Sequence, residues 1–280
     1  MPEGDTIFRT ATSLRTWMND RVVDQATAKD PRLAMHRVVG LPIADVVSRG
    51  KHLFIWFGDH QWCLHTHMRM TGSWHVYTRD APWRKPRWHA NVTLMAGERL
   101  AVCFNAPVVR LLNARQIAAD PVLGLVGSLG PDLLSSEIAP VSDIVTSIRR
   151  RYSTLPVGDV LLDQSIASGI GNIYRCETLF VHKIDPATPV GQISDATLGS
   201  LYETARELLS FNARSPVAGR RFGRDGQTAS VYDRAGLPCR ACGTSIAVRH
   251  FGRDARLLFW CPTCQPPFAT VRDQTWPSAH

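Results

Sequence analysis

Several kinds of segment are missing from this chain of 280 residues. Its start, MPEGDTIFR, has none of the long apolar stretch of a secretory signal, and no apolar run elsewhere is long enough to span a bilayer. The expectation is a soluble cytoplasmic protein with no membrane partner. Internal repeats and low-complexity tracts are also absent. A disulfide framework is missing too: four of the seven cysteines form two close pairs, Cys239/Cys242 and Cys261/Cys264, which is metal-ligand spacing. The other three, Cys63, Cys103 and Cys176, stand in apolar surroundings and read as reduced core residues.

What the chain does have is an excess of positive charge. With 32 Lys and Arg against 24 Asp and Glu its formal charge is +8, which favours a polyanionic partner without separating DNA, RNA and anionic membranes. Nothing in the sequence calls for an obligate protein partner. The length allows one large domain or two of ordinary size, and two is the expectation.

Ile7, Ala11, Leu14 and Trp17 recur at helical spacing, so an amphipathic helix is expected from about Thr6 to Met18, with the residues before it held by a rigid element. From Val46 the apolar runs shorten and β-branched and aromatic residues increase: HLFIWF, WCLHTHMRM, NVTLM, then LAVCF after Gly97. This is a hairpin-rich β region that a sandwich would accommodate. A stretch rich in Gly, Pro, Ser and Asp marks a boundary near residue 130. Helices are expected beyond it: one capped by Ser142 and running through Arg151, one over VLLDQSIA, one from Asn172 to His182, and one carrying Leu198, Leu201, Ala205, Leu208 and Leu209.

Eighteen residues separate the two cysteine pairs. Four thiolates at this spacing suit tetrahedral zinc, and a closed set leaves no position for water or substrate, so one structural Zn2+ is expected from Cys239, Cys242, Cys261 and Cys264. Ile246, Val248 and Leu257 to Trp260 read as the two strands of a hairpin too small to have its own core. Arg240, Arg249, Arg253 and Arg256 lie on or beside it and suit phosphate, though a solvated face explains them as well. Between two helices, Gly169, Gly171 and Asn172 form a turn where a phosphate can meet backbone amides at a helix start. A helical hairpin without a ligand explains the same glycines.

At this point a resemblance enters. PEGD at Pro2 to Asp5, RGKHLF around Lys51, THMRMTG at Thr66 to Gly72, LLDQSIASGIGNIYRCETLF from Leu161 to Phe180, VYDRAGLPC up to Cys239 and the paired cysteines are similar, in order and separation, to the formamidopyrimidine-DNA glycosylase and endonuclease VIII family, in its endonuclease VIII-like branch. The match is distributed over nearly the whole chain. It implies an α+β enzyme of two domains, an N-terminal β-sandwich with a flanking helix and a C-terminal helix-two-turn-helix domain with a β-hairpin zinc finger. The divisions would be 1–130, 131–222 and a linker with finger over 223–280. The resemblance further implies a bifunctional DNA glycosylase and abasic-site lyase of base excision repair, associated with chromosomal DNA and acting on damaged DNA, duplex or single-stranded. Pro2, freed by loss of Met1, would be the nucleophile, Glu3 its acidic partner, and Lys51 a catalytic and phosphate-contacting lysine. Asn172 and Arg256 would bind phosphate. Met70, which on pattern alone reads as a core residue, matches the methionine that fills the space left by an extruded nucleotide.

The chain departs from the guanine-lesion branch in one place. That branch carries an Arg-Phe pair that wedges the helix opposite the damage; here the neighbourhood is Phe104 to Leu112, in which Arg110 is a candidate positive wedge and Leu111 or Leu112 either an apolar wedge or part of a buried strand. The segment from Ala213 to Ala229 is short and basic where the guanine branch often has a lesion-covering loop. Removal of oxidised pyrimidines through a proline iminium, followed by β,δ-elimination, is therefore the expected activity. A guanine-lesion glycosylase and a non-catalytic damaged-DNA binding protein are the alternatives.

Overall fold

The computed structural model describes residues 2–119, 127–137, 139–216, 219–222 and 228–267. The first helix, α1, spans Gly4–Met18 and buries Ile7, Ala11, Leu14 and Met18, spaced four, three and four apart as one helical face demands. Trp17, expected on that face, is instead 41% exposed and lies beneath the Arg99 guanidinium, 3.9 Å from its ring centroid. Met18 takes the core position because it completes the stripe, whereas residue 17 falls about 100° away from it.

Eight strands follow: β1 (Gln25–Ala28), β2 (Ile43–Arg49), β3 (His52–Phe57), β4 (Trp62–His67), β5 (Ser73–Thr78), β6 (Ala90–Ala96), β7 (Arg99–Phe104) and β8 (Val108–Asn113). They form two antiparallel four-stranded sheets, in the orders β1-β6-β7-β5 and β2-β3-β4-β8. One core contains residues of both sheets and α1, with Leu53, Ile55 and Phe57 from one sheet, Val92, Leu94 and Cys103 from the other, and Leu14 from the helix. The HLFIWF run is apolar on both faces for a physical reason. Phe54 and Cys63 form a second cluster with Trp56 and with Ile117 of the short helix α2 (Ala114–Ala119), so both faces of β3 are covered. Leu112 is buried and Leu111 packs on the main core, so the strand reading, not the wedge reading, holds for these two.

The second half is helical, with α3 (Val141–Arg151), α4 (Val157–Val160), α5 (Asn172–Val181) and α6 (Asp195–Arg214) around a core of Ile144, Ile148, Tyr174, Leu201, Tyr202 and Leu209, among others. Helix α3 starts behind Pro140 rather than at a Ser142 cap. The short helix also sits earlier than the sequence suggested, ending at Val160, with turns over Leu161 to Ala167. Asp163 accounts for this: its carboxylate accepts from the Ser165 amide and hydroxyl and from the Tyr152 hydroxyl, a local side-chain pattern that competes with helical bonding. The hairpin of β9 (Ala247–Phe251) and β10 (Arg256–Trp260) ends the described chain, and Leu258, Phe259 and Ile246 share their core with Cys176 of α5. The architecture is two-domain α+β. Among the described residues no helix is long and apolar enough to cross a membrane.

One buried carboxylate anchors the approach to the hairpin. Glu177 of α5 is fully buried and accepts from the amides of Ser230, Val231 and Tyr232 at 2.8, 3.0 and 2.8 Å. Replacing it with Ala strands three amides, and the protein is expected to lose about 3 kcal/mol of stability in denaturant unfolding. Hydrogen exchange should accelerate first at residues 230–232. Unchanged exchange there would refute the anchoring role.

Candidate active site

The glutamate at position 3 occupies the N-cap of α1, yet its carboxylate does not cap that helix. It is fully buried and reaches the start of α5, accepting from the Ile173 amide at 2.9 Å and the Tyr174 amide at 3.4 Å. A carboxylate suits this place because the first amides of a helix have no intrahelical acceptor and the helix dipole is positive there. The backbone follows the side chain: the Gly4 amide donates to the Gly169 carbonyl at 3.0 Å. Two glycines in the turn are required by this docking. A Cβ on Gly171 would lie 2.2 Å from the Glu3 carboxyl carbon, and Gly169 has φ +113°, a conformation that side chains disfavour.

Lys51 arrives, like Glu3, from the N-terminal half, at the tip of the β2–β3 hairpin, where Gly50 takes φ +57°. The Gly50 amide donates to the Asp132 carboxylate at 2.8 Å, and Asp132 also accepts from the Leu134 amide at 2.9 Å, which pins the tip to the connection between the halves. From there the Lys51 ammonium donates to the Ile170 carbonyl at 2.5 Å, on the same turn that receives Glu3. Burial pushes the Glu3 carboxyl above its ordinary range, opposed by the nearby cations Lys51 and Arg220. Burial likewise pulls Lys51 down, to about 8, against the attraction of Glu3 and with help from the positive charge of Arg256. Glu3, Lys51 and Arg256 therefore lie within one electrostatic neighbourhood although more than 200 residues separate the outer two. At its centre are an acid that holds its proton more readily than usual and an amine that gives its proton up more readily.

Arg256 opens β10, 43% exposed at its side chain, and pairs with Asp254 at 3.1 Å. Behind it, the four thiols of Cys239, Cys242, Cys261 and Cys264 all lie within 4.8 Å of one another, with Sγ separations of 3.9 Å for Cys239–Cys264 and 3.4 Å for Cys242–Cys261. Tetrahedral coordination at ordinary zinc–sulfur lengths puts ligand sulfurs about 3.8 Å apart, so this donor set fits one metal ion closed to solvent ligands.

The first 107 residues match the family model of the formamidopyrimidine-DNA glycosylase N-terminal domain, and residues 129–215 match that of the formamidopyrimidine-DNA glycosylase H2TH domain. The chain is 35% identical to the probable endonuclease 8 2 of Streptomyces coelicolor over 95% of this chain and 94% of that one. It is 34% identical to the DNA-(apurinic or apyrimidinic site) lyase Nei2 of Mycolicibacterium smegmatis, covering 95% and 99%. The chain belongs to the formamidopyrimidine-DNA glycosylase and endonuclease VIII family. In fold it is similar to Lactococcus lactis Fpg in a complex with DNA containing an abasic site, with a TM-score of 0.77 at 24% identity over 95% of this chain and 100% of that one.

In this member of the family the other residues singled out from sequence fall as follows. Met70 is 67% exposed at the turn after β4, so the core reading from pattern alone does not hold. Gly72 allows that turn to close, since a Cβ there would lie 2.7 Å from the Met68 Cα. Arg110 is half-buried on β8, across from His65 of β4. Asn172 is buried; its side-chain amide donates to the Leu257 carbonyl at 2.7 Å and its oxygen accepts from Arg175, which couples α5 to the β9–β10 hairpin. The Ile173 and Tyr174 amides, expected to be open to a phosphate, are occupied by Glu3, because the internal carboxylate reaches the helix start first.

Sequence reasoning missed Arg220. Its guanidinium grips the buried Asp5 through two bonds, 2.7 Å from Nε and 2.8 Å from Nη2, also donates to the Thr6 hydroxyl at 2.7 Å, and faces the Tyr174 ring. Asn212 holds the adjacent backbone, accepting from the Arg221 amide at 2.7 Å and donating to its carbonyl at 3.1 Å. Only the buried position of Asp5 could have signalled a partner. The segment from Ala213 to Ala229 lies partly outside the described residues, and Arg220 belongs to the part that is described.

The sharpest consequence concerns Gly171. Gly171→Ala must displace the Glu3 carboxylate while leaving the hydrophobic cores intact. The expected result is a folded protein destabilised by about 3 kcal/mol, because a buried carboxylate loses its donors, whose activity on damaged DNA at equal folded concentration falls at least about 100-fold, as misplacement by about an ångström can cost. Full activity in this variant would show that the Glu3 position is not critical.

Proposed function

We propose that this enzyme removes oxidised pyrimidines from DNA and cleaves the resulting abasic strand through an iminium on Pro2, exposed as the N-terminal amine when Met1 is removed. The observation that carries this reading is the buried Glu3 carboxyl, held at the start of α5 with Lys51 beside it and Pro2 next to it in the chain. Membership of the family makes the chain a DNA glycosylase and abasic-site lyase; the residue roles and the lesion class are what is proposed.

An α-amino group has a reference pKa of about 7.7 to 8.0, so a sizeable fraction is unprotonated near neutrality. The Pro2 nitrogen attacks C1′, the base leaves with the electrons of the glycosidic bond, and the Pro2–C1′ adduct becomes an iminium as the sugar ring opens and O4′ takes a proton. Glu3, raised by burial, is a suitable holder of that proton. A base takes a C2′ proton, the electrons of that C–H bond flow into the iminium to give an enamine, the 3′ C–O bond breaks with its electrons leaving on the 3′ phosphate, and a second elimination releases the 5′ phosphate. With Lys51 lowered to about 8, its amine is poised much like an N-terminal one, so acidity alone does not choose between the two. Position favours Pro2: the Lys51 nitrogen is committed to the Ile170 carbonyl and, with Arg256, supplies positive charge for phosphate.

The remaining assignments follow from this placement. Met70, exposed on its turn, fills the void of the flipped nucleotide. Arg110 and Arg256 are assigned to the DNA-contacting surface, and the buried Gly169 and Gly171 turn and Asn172 to the support beneath it, Asn172 acting chiefly by setting the hairpin against α5. Domain divisions near 130 and 222 agree with this division of labour. A pyrimidine preference is supported by Leu112 being buried and Leu111 packing on the core, and by the endonuclease 8 names of the relatives at 34–35% identity.

Borohydride trapping tests the nucleophile. Processed protein should form a DNA adduct that peptide mass analysis places on Pro2, and protein retaining Met1, whose Pro2 nitrogen is an amide, should form none. Glu3→Gln should excise damaged bases far more slowly, by about 100-fold or more, than it cleaves a preformed abasic site. An adduct on Lys51 from Met1-retaining protein would reject the assignment. Release of thymine glycol and dihydrouracil should exceed that of 8-oxoguanine from matched duplexes; the reverse order would move the protein to the guanine branch.

The cysteine cluster is proposed to hold one structural Zn2+, which fixes the hairpin and thereby Arg256. Cys261→Ser should abolish stoichiometric zinc in elemental analysis and weaken DNA binding at least about tenfold, leaving far-ultraviolet circular dichroism of the large β and helical cores nearly unchanged. Retention of full DNA affinity by the zinc-free variant would exclude a role in binding.

A further inference from the structure

Away from the residues used above, the connection between β5 and β6 carries an unusual composition. Residues 79–89 read RDAPWRKPRWH, with five charged side chains of which four are cationic, and with two tryptophans. Trp83 is built into the sheet, stacked on Tyr77 and meeting Phe104 edge-on, and the Arg87 guanidinium lies over its outer face at 5.0 Å. Trp88 is different: at 71% exposure it is the most exposed large apolar side chain among the described residues. Its backbone is not loose. The Trp88 carbonyl accepts from Lys29 at 3.3 Å, the Arg84 amide donates to the Tyr77 hydroxyl at 3.1 Å, and Lys85 donates to Ser73 at 2.8 Å. Arg84 and Arg87 are exposed, and neither is paired with a carboxylate among the described residues.

This surface is continuous with the turn that presents Met70. His89 binds Asn105 twice, the Asn105 amide donating to the His89 carbonyl at 3.0 Å and the two side chains meeting at 3.1 Å. The Asn105 carbonyl in turn accepts from the Thr71 hydroxyl at 2.9 Å, one residue from Met70. Two exposed apolar side chains, Met70 and Trp88, are thus joined by a short hydrogen-bonded path along one rim.

From this arrangement we infer that the 79–89 connection is a second DNA-contact surface, on which an unpaired base beside the opening made by Met70 stacks against Trp88 while neighbouring phosphates meet Arg84 and Arg87. The inference rests on the DNA-repair reading above. Its chemistry is that of single-strand recognition, in which an indole accepts any base face and flanking cations track the backbone. Extruding one nucleotide leaves its partner without a pairing edge, so a stacking platform on the rim offsets part of the cost of opening. It also supplies an aromatic contact where the strand from Val108 to Asn113 places leucines in the core.

The test uses the full-length protein and a duplex bearing a tetrahydrofuran abasic analogue, with Trp88→Ala, Trp88→Phe and Arg84→Ala/Arg87→Ala. Trp88→Ala should raise the Kd about tenfold, within the range of one lost base–aromatic stack, and Trp88→Phe should recover most of it. The double arginine variant should bind more weakly and lower the slope of log affinity against log salt by about 2. Single-turnover cleavage of a true abasic site at saturating enzyme should remain within about twofold of wild type in all three, because none touches the reacting atoms. A benzophenone amino acid at position 88 should crosslink to a base near the lesion. Wild-type binding and cleavage with unchanged Kd in Trp88→Ala, or crosslinking only between protein chains, overturns the surface and leaves the activity standing. Failure of the wild type itself to bind the analogue removes the reading on which the inference depends.

Discussion

The carboxylate of Glu3 joins the two halves of the molecule. A fully buried acid at the edge of the N-terminal domain finds its acceptor-starved amides in the first turn of α5, which belongs to the helical domain. Desolvation alone would make such a burial costly. The helix start offsets that cost with two donors and a favourable dipole, and the same burial leaves the acid readier to hold a proton than an exposed glutamate. Position, protonation and domain docking are thereby set by one interaction, and the glycine at 171 is the vacancy that allows it.

Around this contact the remaining elements act as supports. Asp132 fixes the hairpin tip that carries Lys51, and the lysine bonds the Ile170 carbonyl of the turn. Arg220 clamps Asp5, two residues beyond Glu3, and is itself held through Asn212 in α6. The β9–β10 hairpin beside the cysteine cluster has little core of its own and leans on Cys176 and on the side chain of Asn172, which places Arg256 within electrostatic reach of Lys51. Each support comes from a different stretch of chain, so the site exists only when both domains are in place.

A site that buries one acid and needs to receive a polyanion must keep positive charge near without neutralising the acid, and the buried partners of Glu3 include Lys51 and Arg220. The overall charge of +8 is in keeping with that requirement, although it says nothing of where the charge is concentrated.

The sequence by itself determined the features that depend on local periodicity and spacing. The α1 stripe, the alternation of strands, the long helix α6 and the paired cysteines were legible because each is set by residues within a few turns or one hairpin of one another. The family motifs likewise pointed to Glu3, Lys51 and Arg256. What the sequence left undecided were side-chain directions and partners. Trp17 and Met18 compete for one helical face, Asp163 replaces helix with turns, and Met70 reads as core until its turn is seen to point outward. The Asp5–Arg220 pair, 215 residues apart, and the use of the α5 amides by Glu3 rather than by a ligand were decided only by tertiary structure. The reason is that burial of a charged group is favourable only against a specific donor, and no local pattern records which distant segment will supply it.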